Sequence, residues 1–285
     1  MFEGKVSELS DFRAARLPRF TDQDRSPRAG RPVIAIEAAM GSSHLPGSAL
    51  LPICGRPLLR HVVARMSKVS GASVVVVTTD SPRDLPIRQY CRRNGIEFFA
   101  GSSSDPLDRL YRAALRFGAD PIIRVSAQAA FIDPFVISRL LELHADGGFD
   151  LARVATGEGT IFLEGGRYPR GFEAECVSLW ALERAWSEAT DPADREAAFS
   201  YLTRAVGRFR VGTLRAERNL SHLRLEVESE TDLELARRIY AELDHGEGTF
   251  SLDDVLGFLN GNPELLGVNR SFVGAETGEE LAIAA

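Results

Sequence analysis

The stretch "PVIAIEAAMGSSHLPGSALLPICGRPLLRHVVARM", residues 32–66, decides the fold. Its apolar run, Val33–Ile36, has the composition of a buried strand. A loop of glycines and small hydroxyl residues follows, and Pro57 then opens a run with apolar residues at helical spacing. This order predicts a strand, a loop of the kind that holds phosphate, and a helix. The loop from Glu37 to Leu50 nevertheless contains no Lys or Arg.

The same alternation continues along the chain. Capping residues Asp105 and Asp133 and the terminating glycines Gly95 and Gly118 mark helix ends. Strands are predicted at "ASVVVVTTD", "IEFFAG" and "PIIRVSAQ", and helices at "PRDLPIRQYCRRNG", "DPLDRLYRAALRFG" and "DPFVISRLLELHADGG". Alternating strands and helices predict βαβ units and a mostly parallel sheet, and strands that are apolar on both faces predict helices on both sides of it.

Ligands of such sheets bind beyond the carboxyl ends of the strands. Loops 37–48, 78–84, 101–108 and 126–133 are therefore expected to converge on one cleft. The second half of the chain is less regular. There, "HLRLEVES" predicts a further strand and "TDLELARRIYAEL" a helix.

Composition limits the class of protein. The chain has 285 residues and a formal net charge of −6, which gives no basic excess for binding nucleic acid. It contains no apolar run long enough for a membrane span and no signal-peptide core. Three separated cysteines, Cys54, Cys91 and Cys176, predict free thiols and a cytoplasmic protein. The predicted organisation is an arm over 1–31, one α/β domain over 32–270 and a tail over 271–285.

Seven motifs in order resemble the spore-coat polysaccharide biosynthesis protein F type of cytidylyltransferase. They are "MGSSHLPGSALLPICGRPLLRHVVARM", "TTDSPRD", "DPLDRLYRAA", "GADPIIRVSAQAAFIDP", "YPRGFEAE", "LSHLRLEVESETDLELARRIY" and "NPELLGVN". The resemblance implies a GT-A-like α/β fold: a mostly parallel sheet with helices on both faces and a small inserted sub-sheet. It also implies coupling of CTP to a sugar or acid, with release of pyrophosphate and use of Mg²⁺.

The first loop departs from that family at its charged positions. The resemblance places the family's two arginines and its lysine, which grip the triphosphate, at Ala39, His44 and Ser48. Glu37 stands where the family has a neutral glutamine. Each lost charge-assisted hydrogen bond is worth about 1.5–3 kcal/mol, so the three together are expected to weaken triphosphate binding strongly.

The metal positions differ as well. The family's metal-binding Asp of the fourth-strand motif corresponds to Gln128, and its second acid corresponds to Glu228. The His of the family's Arg-Glu-His motif corresponds to Ala197. Carboxylates anchor Mg²⁺ best, so a metal site is not expected from these vestigial positions.

Candidate site residues follow from the loops and the resemblance. Nucleotide binding is assigned to Gly41, Ser42, Ser43, His44, Gly47 and Ser48. Substrate binding is assigned to Arg170, Glu173 and Glu175. The remaining catalytic candidates are Arg109, Arg124 and His44. Structural alternatives stand beside these roles. Arg109 could pair with Asp108 or Asp105, Arg124 could bond a carbonyl at its strand end, and Glu173 and Glu175 could lie on a solvated strand face.

Three functions remain open. The favoured one is a degenerate cytidylyltransferase-like protein that acts as a binding or regulatory subunit in glycan or secondary-metabolite assembly, with no cofactor. The second is an active, Mg²⁺-dependent nucleotidyltransferase with a remodelled site, and the third is a glycosyltransferase of the same layout. The expected ligand is a nucleotide or nucleotide-sugar-like small molecule, with a protein partner or homodimer possible and no nucleic acid or membrane involved.

Overall fold

The computed structural model describes residues 30–41, 44–157, 165–244 and 250–269. Its strands are β1 Arg31–Glu37, β2 Pro52–Ile53, β3 Arg56–Pro57, β4 Ser73–Thr79, β5 Phe98–Gly101, β6 Ala119–Ser126, β7 Leu151–Val154, β8 Ala174–Val177 and β9 Val211–Leu214. Its helices are α1 Leu58–Met66, α2 Leu85–Arg93, α3 Pro106–Phe117, α4 Pro134–Gly147, α5 Leu179–Glu188, α6 Pro192–Glu196, α7 Ser200–Arg204, α8 Glu230–Leu243 and α9 Leu252–Gly261.

The described strands form a seven-stranded sheet in the order β5-β4-β1-β6-β8-β7-β9. Only β8 runs against the other six. A separate two-stranded antiparallel sheet, β2–β3, follows the first loop. The predicted fold class, a mostly parallel sheet with a small inserted sub-sheet, is therefore confirmed.

Strand β1 shows why helices cover both faces of the sheet. Ile34 and Ile36 face one apolar core, which α1, α2, α4, α8 and α9 complete. Val33 and Ala35 face a second core, which α3, α5 and α7 complete. Because successive strand side chains point to opposite faces, Glu37 points to the same side as Ala35, toward α3.

The predicted helix caps are present. Asp105 accepts a hydrogen bond from the Asp108 amide at 2.9 Å, and Asp133 accepts one from the Phe135 amide at 2.8 Å. Gly118 ends α3 with φ +62°, a left-handed conformation that glycine adopts without a Cβ clash.

The strand predicted at "HLRLEVES" is wrong. Residues 223–228 form neither a helix nor a strand of the sheet, and their strand-like pairing with other described residues is confined to one isolated bridge between Arg170 and Arg224. The apolar alternation there instead buries Leu223, Leu225 and Val227. Apolar alternation identifies a half-buried extended segment, but it does not supply a pairing partner.

Both predicted terminal segments lie largely outside the described residues. Of the arm over 1–31, Gly30 and Arg31 are described, and Arg31 already belongs to β1; the tail over 271–285 is not described.

No helix among the described residues is long and apolar enough to cross a membrane. Cys54 is exposed in a turn, Cys91 is buried on α2 and Cys176 is buried in β8.

Candidate functional site

A cleft of about 300 Å³ opens at the carboxyl ends of β1, β4 and β6. It is lined by Glu37, Ala38, Ala39, Gly41, Val77, Thr79, Arg109, Arg124, Ser126, Gln128 and Glu173. Three of the four loops predicted to converge supply lining residues. The fourth, 101–108, reaches the cleft through the Ser102 carbonyl, which accepts a hydrogen bond from Nη1 of Arg109 at 2.6 Å.

Both arginines of the cleft are held by carboxylates. Nη2 of Arg109 lies 3.1 Å from Oε1 of Glu37, and Nη1 of Arg124 lies 3.4 Å from Oε2 of the same residue. Nε of Arg124 also donates to Glu175 at 2.9 Å. Burial alone would lower the pKa of Arg124, but Glu175 and Glu37 outweigh it and raise that pKa above its ordinary value.

Strand register explains this arrangement. Arg124 is directly opposite Ala35 on β1 and Glu175 on β8, while Glu37 is opposite Ser126. Glu37 is two residues beyond Ala35 on the same face, so its carboxylate lies diagonally across from Arg124. The result is a row of alternating charges from α3 to β8, formed by Arg109, Glu37, Arg124 and Glu175. Both arginines of the row are already paired with carboxylates.

Ser48 and Gln128 contact each other across 80 residues of sequence. Nε2 of Gln128 donates to Oγ of Ser48 at 3.2 Å, and the Ser126 hydroxyl donates to Oε1 of Gln128 at 2.5 Å. Ser48 is fully buried. Two positions at which the sequence resemblance implies a lysine and a metal-binding aspartate therefore form one neutral hydrogen-bonded network.

The model for the cytidylyltransferase family matches residues 33–237. The chain belongs to the cytidylyltransferase family. It is 24% identical over 237 residues to the spore coat polysaccharide biosynthesis protein SpsF of Bacillus subtilis, covering 80% of this chain and 94% of that protein. It is 32% identical over 125 residues to 3-deoxy-manno-octulosonate cytidylyltransferase of Anaeromyxobacter dehalogenans, covering 43% of this chain and 49% of that enzyme.

A solved structure of a cytidylyltransferase from Leptospira borgpetersenii has the same fold. It superposes with a TM-score of 0.74 at 24% identity, covering 83% of this chain and 97% of that one. Family membership thus rests on the sequence model, and this likeness supports the fold of the sheet and its helices.

The residues at the implied magnesium site of this cytidylyltransferase-family chain do not suit the ion. Gln128 offers no charge, and its amide oxygen accepts the Ser126 hydroxyl. Glu228 lies 3.4 Å from Nη2 of Arg224, an arginine whose side chain is 1% exposed. No group of three or more His, Cys, Asp or Glu side chains suited to a metal occurs within the described ranges. Mg²⁺ prefers carboxylate oxygens that are not already paired with cations.

The described part of the first loop is held by contacts of its backbone and has no Lys or Arg side chain. Gly47 adopts φ +75°, and its amide bonds the Met40 carbonyl at 3.1 Å. The Met40 amide in turn donates to the buried Asp84 carboxylate at 2.7 Å, which ties the loop to the turn after β4. Among the predicted nucleotide-binding residues, Gly41 lines the cleft, His44 is exposed outside its lining, and Ser42 and Ser43 lie outside the described residues.

The structural alternatives named the wrong partners for both cleft arginines. Asp108 pairs with Arg112 at 2.7 Å, and Asp105 pairs with Arg195 at 2.7 Å. Local spacing suggested carboxylates next to Arg109 on its own helix. The side chain instead reaches β1, because the buried face of α3 brings it against the sheet. Likewise, the partners of Arg124 among the described residues are two carboxylates and not a carbonyl.

The three predicted substrate-binding residues have different surroundings. Glu173 lines the cleft and accepts the Gly171 amide at 2.7 Å, whereas Glu175 pairs with Arg124. Arg170 pairs with Glu226 at 2.9 Å and does not line the cleft.

Burial, reinforced by Glu228, raises the pKa of Glu226 to about 7, although Arg224 and Arg170 act in the opposite direction.

Sequence reasoning located the loops but missed individual cleft residues. Thr79 and Ser126 line the cleft, and Asp84 anchors the first loop through Met40. Their positions at strand ends could have identified them, because Thr79 and Ser126 are the last residues of β4 and β6. In a parallel sheet, the last residue of each strand lies at the ligand-binding edge.

Substitution Glu37→Gln is expected to tighten binding of CTP or pyrophosphate on the order of tenfold, equivalent to about 1.4 kcal/mol. The amide preserves the shape of the side chain but removes the charge that pairs with both cleft arginines. Isothermal titration calorimetry measures the change, and Glu97→Gln, at an exposed position, is the control for net charge. Unchanged affinity in Glu37→Gln would show that the arginines do not face the anion.

Proposed function

We propose that this protein is a cytidylyltransferase-family member of glycan or sugar-acid biosynthesis that no longer performs CTP–Mg²⁺ chemistry and acts as a binding or regulatory subunit. The biosynthetic setting is suggested by its likeness to a spore coat polysaccharide biosynthesis protein and to a 3-deoxy-manno-octulosonate cytidylyltransferase. The observation that carries the proposal is the neutral Ser48–Gln128–Ser126 network at the positions implied for lysine and metal-binding aspartate.

The electrostatics of the cleft support the loss of chemistry. Transfer of a nucleotidyl group requires stabilisation of negative charge on the departing pyrophosphate, which unpaired cations and a metal ion supply. In the cleft, Glu37 and Glu173 balance Arg109 and Arg124, and Glu37 contacts both arginines. A triphosphate would have to displace Glu37 from these pairs before it could use their charge.

The architecture supports a retained binding role. The loop is pinned by Asp84, the cleft remains open between the strand ends, and hydroxyl, amide and carboxylate groups point toward it. A buried site with fixed hydrogen-bonding groups still recognises small molecules when the groups for chemistry are missing.

Pyrophosphate release from CTP with Mg²⁺ and a panel of sugar acids tests the proposal, alongside a thermal-shift screen of nucleotides. We expect no release above the protein-free rate, together with stabilisation by at least one nucleotide or nucleotide sugar. Turnover in this assay would establish the competing function, an active nucleotidyltransferase with a remodelled site.

A further inference from the structure

Arg83 is a cation at the rim of the cleft that differs from Arg109 and Arg124. It is exposed in the turn Pro82–Asp84 that follows β4. Its guanidinium makes no hydrogen bond or ion pair with another residue of the part of the chain that the structure describes. A Cβ placed on Gly41 would lie 3.4 Å from Nη1 of Arg83, so the guanidinium lies beside the first loop.

The position of Arg83 relative to that loop is fixed by its neighbours. The Ser81 hydroxyl accepts the Arg83 amide at 3.3 Å and caps the turn. Asp84, the next residue, accepts the Met40 amide at 2.7 Å and the Thr79 hydroxyl. One buried carboxylate therefore connects the turn that carries Arg83 to the loop that carries Gly41.

We propose that Arg83 and the backbone N–H groups of Ala39 and Gly41 bind one phosphate group of a phosphorylated sugar whose hydroxyl-bearing part occupies the cleft. The inference rests on the proposed function, because it assigns the ligand class of the same cleft. Arginine matches phosphate geometry with paired N–H donors, and exposed backbone N–H groups of a glycine-containing loop add further donors.

Charge and size favour one phosphate over three. Arg109 and Arg124 are paired with Glu37 and Glu175, which leaves Arg83 to meet an anion without first losing a carboxylate partner within the described residues. The cleft volume of about 300 Å³ lies at the lower end of the range for small-molecule sites.

The interior of the cleft suits the sugar portion of such a ligand. Ser126, Gln128 and Glu173 present hydroxyl, amide and carboxylate groups to it. These are the groups that hydrogen-bond sugar hydroxyls, because they provide both donors and acceptors. A phosphate monoester on a sugar is the chemistry shared by nucleoside monophosphates and simple sugar phosphates.

Calorimetry with CMP, ribose 5-phosphate, cytidine and CTP tests this inference on the full-length protein. We expect CMP, ribose 5-phosphate or both to bind the wild type, and CTP to bind no more tightly than CMP. Binding of CMP alone identifies a nucleoside monophosphate site, and binding of both identifies a sugar phosphate site. Arg83→Ala should weaken the phosphate ligands at least tenfold and leave cytidine unchanged, while Arg83→Lys should recover part of the loss.

Arg93→Ala is the matched control, because Arg93 is an exposed arginine at the far end of α2. It should bind all four probes as the wild type does. Equal affinity of Arg83→Ala and wild type, absence of binding by both phosphate monoesters, or preference for CTP would each overturn the inference. None of these results depends on turnover of CTP. They therefore test the phosphate-binding role of Arg83 separately from the proposed function, which CTP turnover would refute.

Discussion

Substitution Ser48→Lys alone is expected to destabilise the protein by about 2–4 kcal/mol, and adding Gln128→Asp should recover much of that loss. Ser48 is fully buried and accepts its hydrogen bond from Gln128. A lysine there places an ammonium group next to the amide of Gln128, which cannot neutralise it. The aspartate supplies the missing charge, so the two substitutions should show a coupling energy of about 1–3 kcal/mol in urea denaturation.

The same pair of substitutions, combined with Ala39→Arg, should raise the affinity for CTP at least about 100-fold. The triple variant restores the charged groups that the family resemblance implies at these positions. Ser70→Lys with Gln89→Asp, both at exposed positions, introduces matched charges away from the cleft and should change neither coupling nor affinity. If the destabilising effects of Ser48→Lys and Gln128→Asp are additive, or if the triple variant binds CTP no more tightly than the wild type, then the first loop is not the phosphate site.

Substitution Asp232→Ala is expected to cost about 3–5 kcal/mol of unfolding free energy. Its carboxylate is fully buried and binds Nε of Arg224 at 3.0 Å, while the Arg224 side chain is 1% exposed. Asp232 also accepts the Ser229 amide at 2.9 Å and the Asn269 side chain at 2.9 Å. Removing it leaves a buried guanidinium short of its main partner.

Urea denaturation measures the effect, and Glu234→Ala is the control on the same helix. Glu234 pairs with Arg238 at an exposed site, where such pairs contribute about 0.3–0.5 kcal/mol. The double variant Asp232→Ala with Arg224→Met should be more stable than Asp232→Ala alone, because it removes a buried guanidinium that has lost Asp232 and keeps its ion pairs with Glu226 and Glu228. Equal losses in Asp232→Ala and Glu234→Ala would contradict the stabilising role assigned to the buried ion pair between Asp232 and Arg224.

The buried ion pair between Arg224 and Asp232 also bears on the cleft. The Val227 amide donates to the Gln128 carbonyl at 3.0 Å, so the segment that follows Arg224 is joined directly to the position at which the resemblance implies a metal-binding aspartate. Asp232 holds this segment from the other side through the Glu228 amide at 3.2 Å. Glu228, at the position that the resemblance implies for a second acid, therefore lies on a segment bonded to Gln128, although its side chain faces Arg224.

The order of strands and helices in the first half followed from the sequence because it is encoded locally. Apolar runs, the caps at Asp105 and Asp133 and the stop at Gly118 each specify structure within a few residues. The segment 222–229 could not be distinguished from a strand, because strand pairing depends on which backbone lies beside the segment.

The partners of the cleft residues could not be predicted from spacing. Arg109 meets Glu37 across 72 residues, and Gln128 meets Ser48 across 80. The resemblance indicated that Ser48 and Gln128 stand where the family has charged residues. It did not indicate that the two side chains are hydrogen-bonded to each other. Only the three-dimensional register of β1, β6 and the first loop brings these side chains together.

The most direct test of the central claim is the rate of Mg²⁺-dependent pyrophosphate release from CTP by the wild-type protein in the presence of sugar acids. A sugar-acid cytidylyltransferase serves as the positive control under the same conditions. The account predicts a rate indistinguishable from that of the protein-free reaction. Turnover in the ordinary enzymatic range, about 1 s⁻¹ or faster, would contradict it.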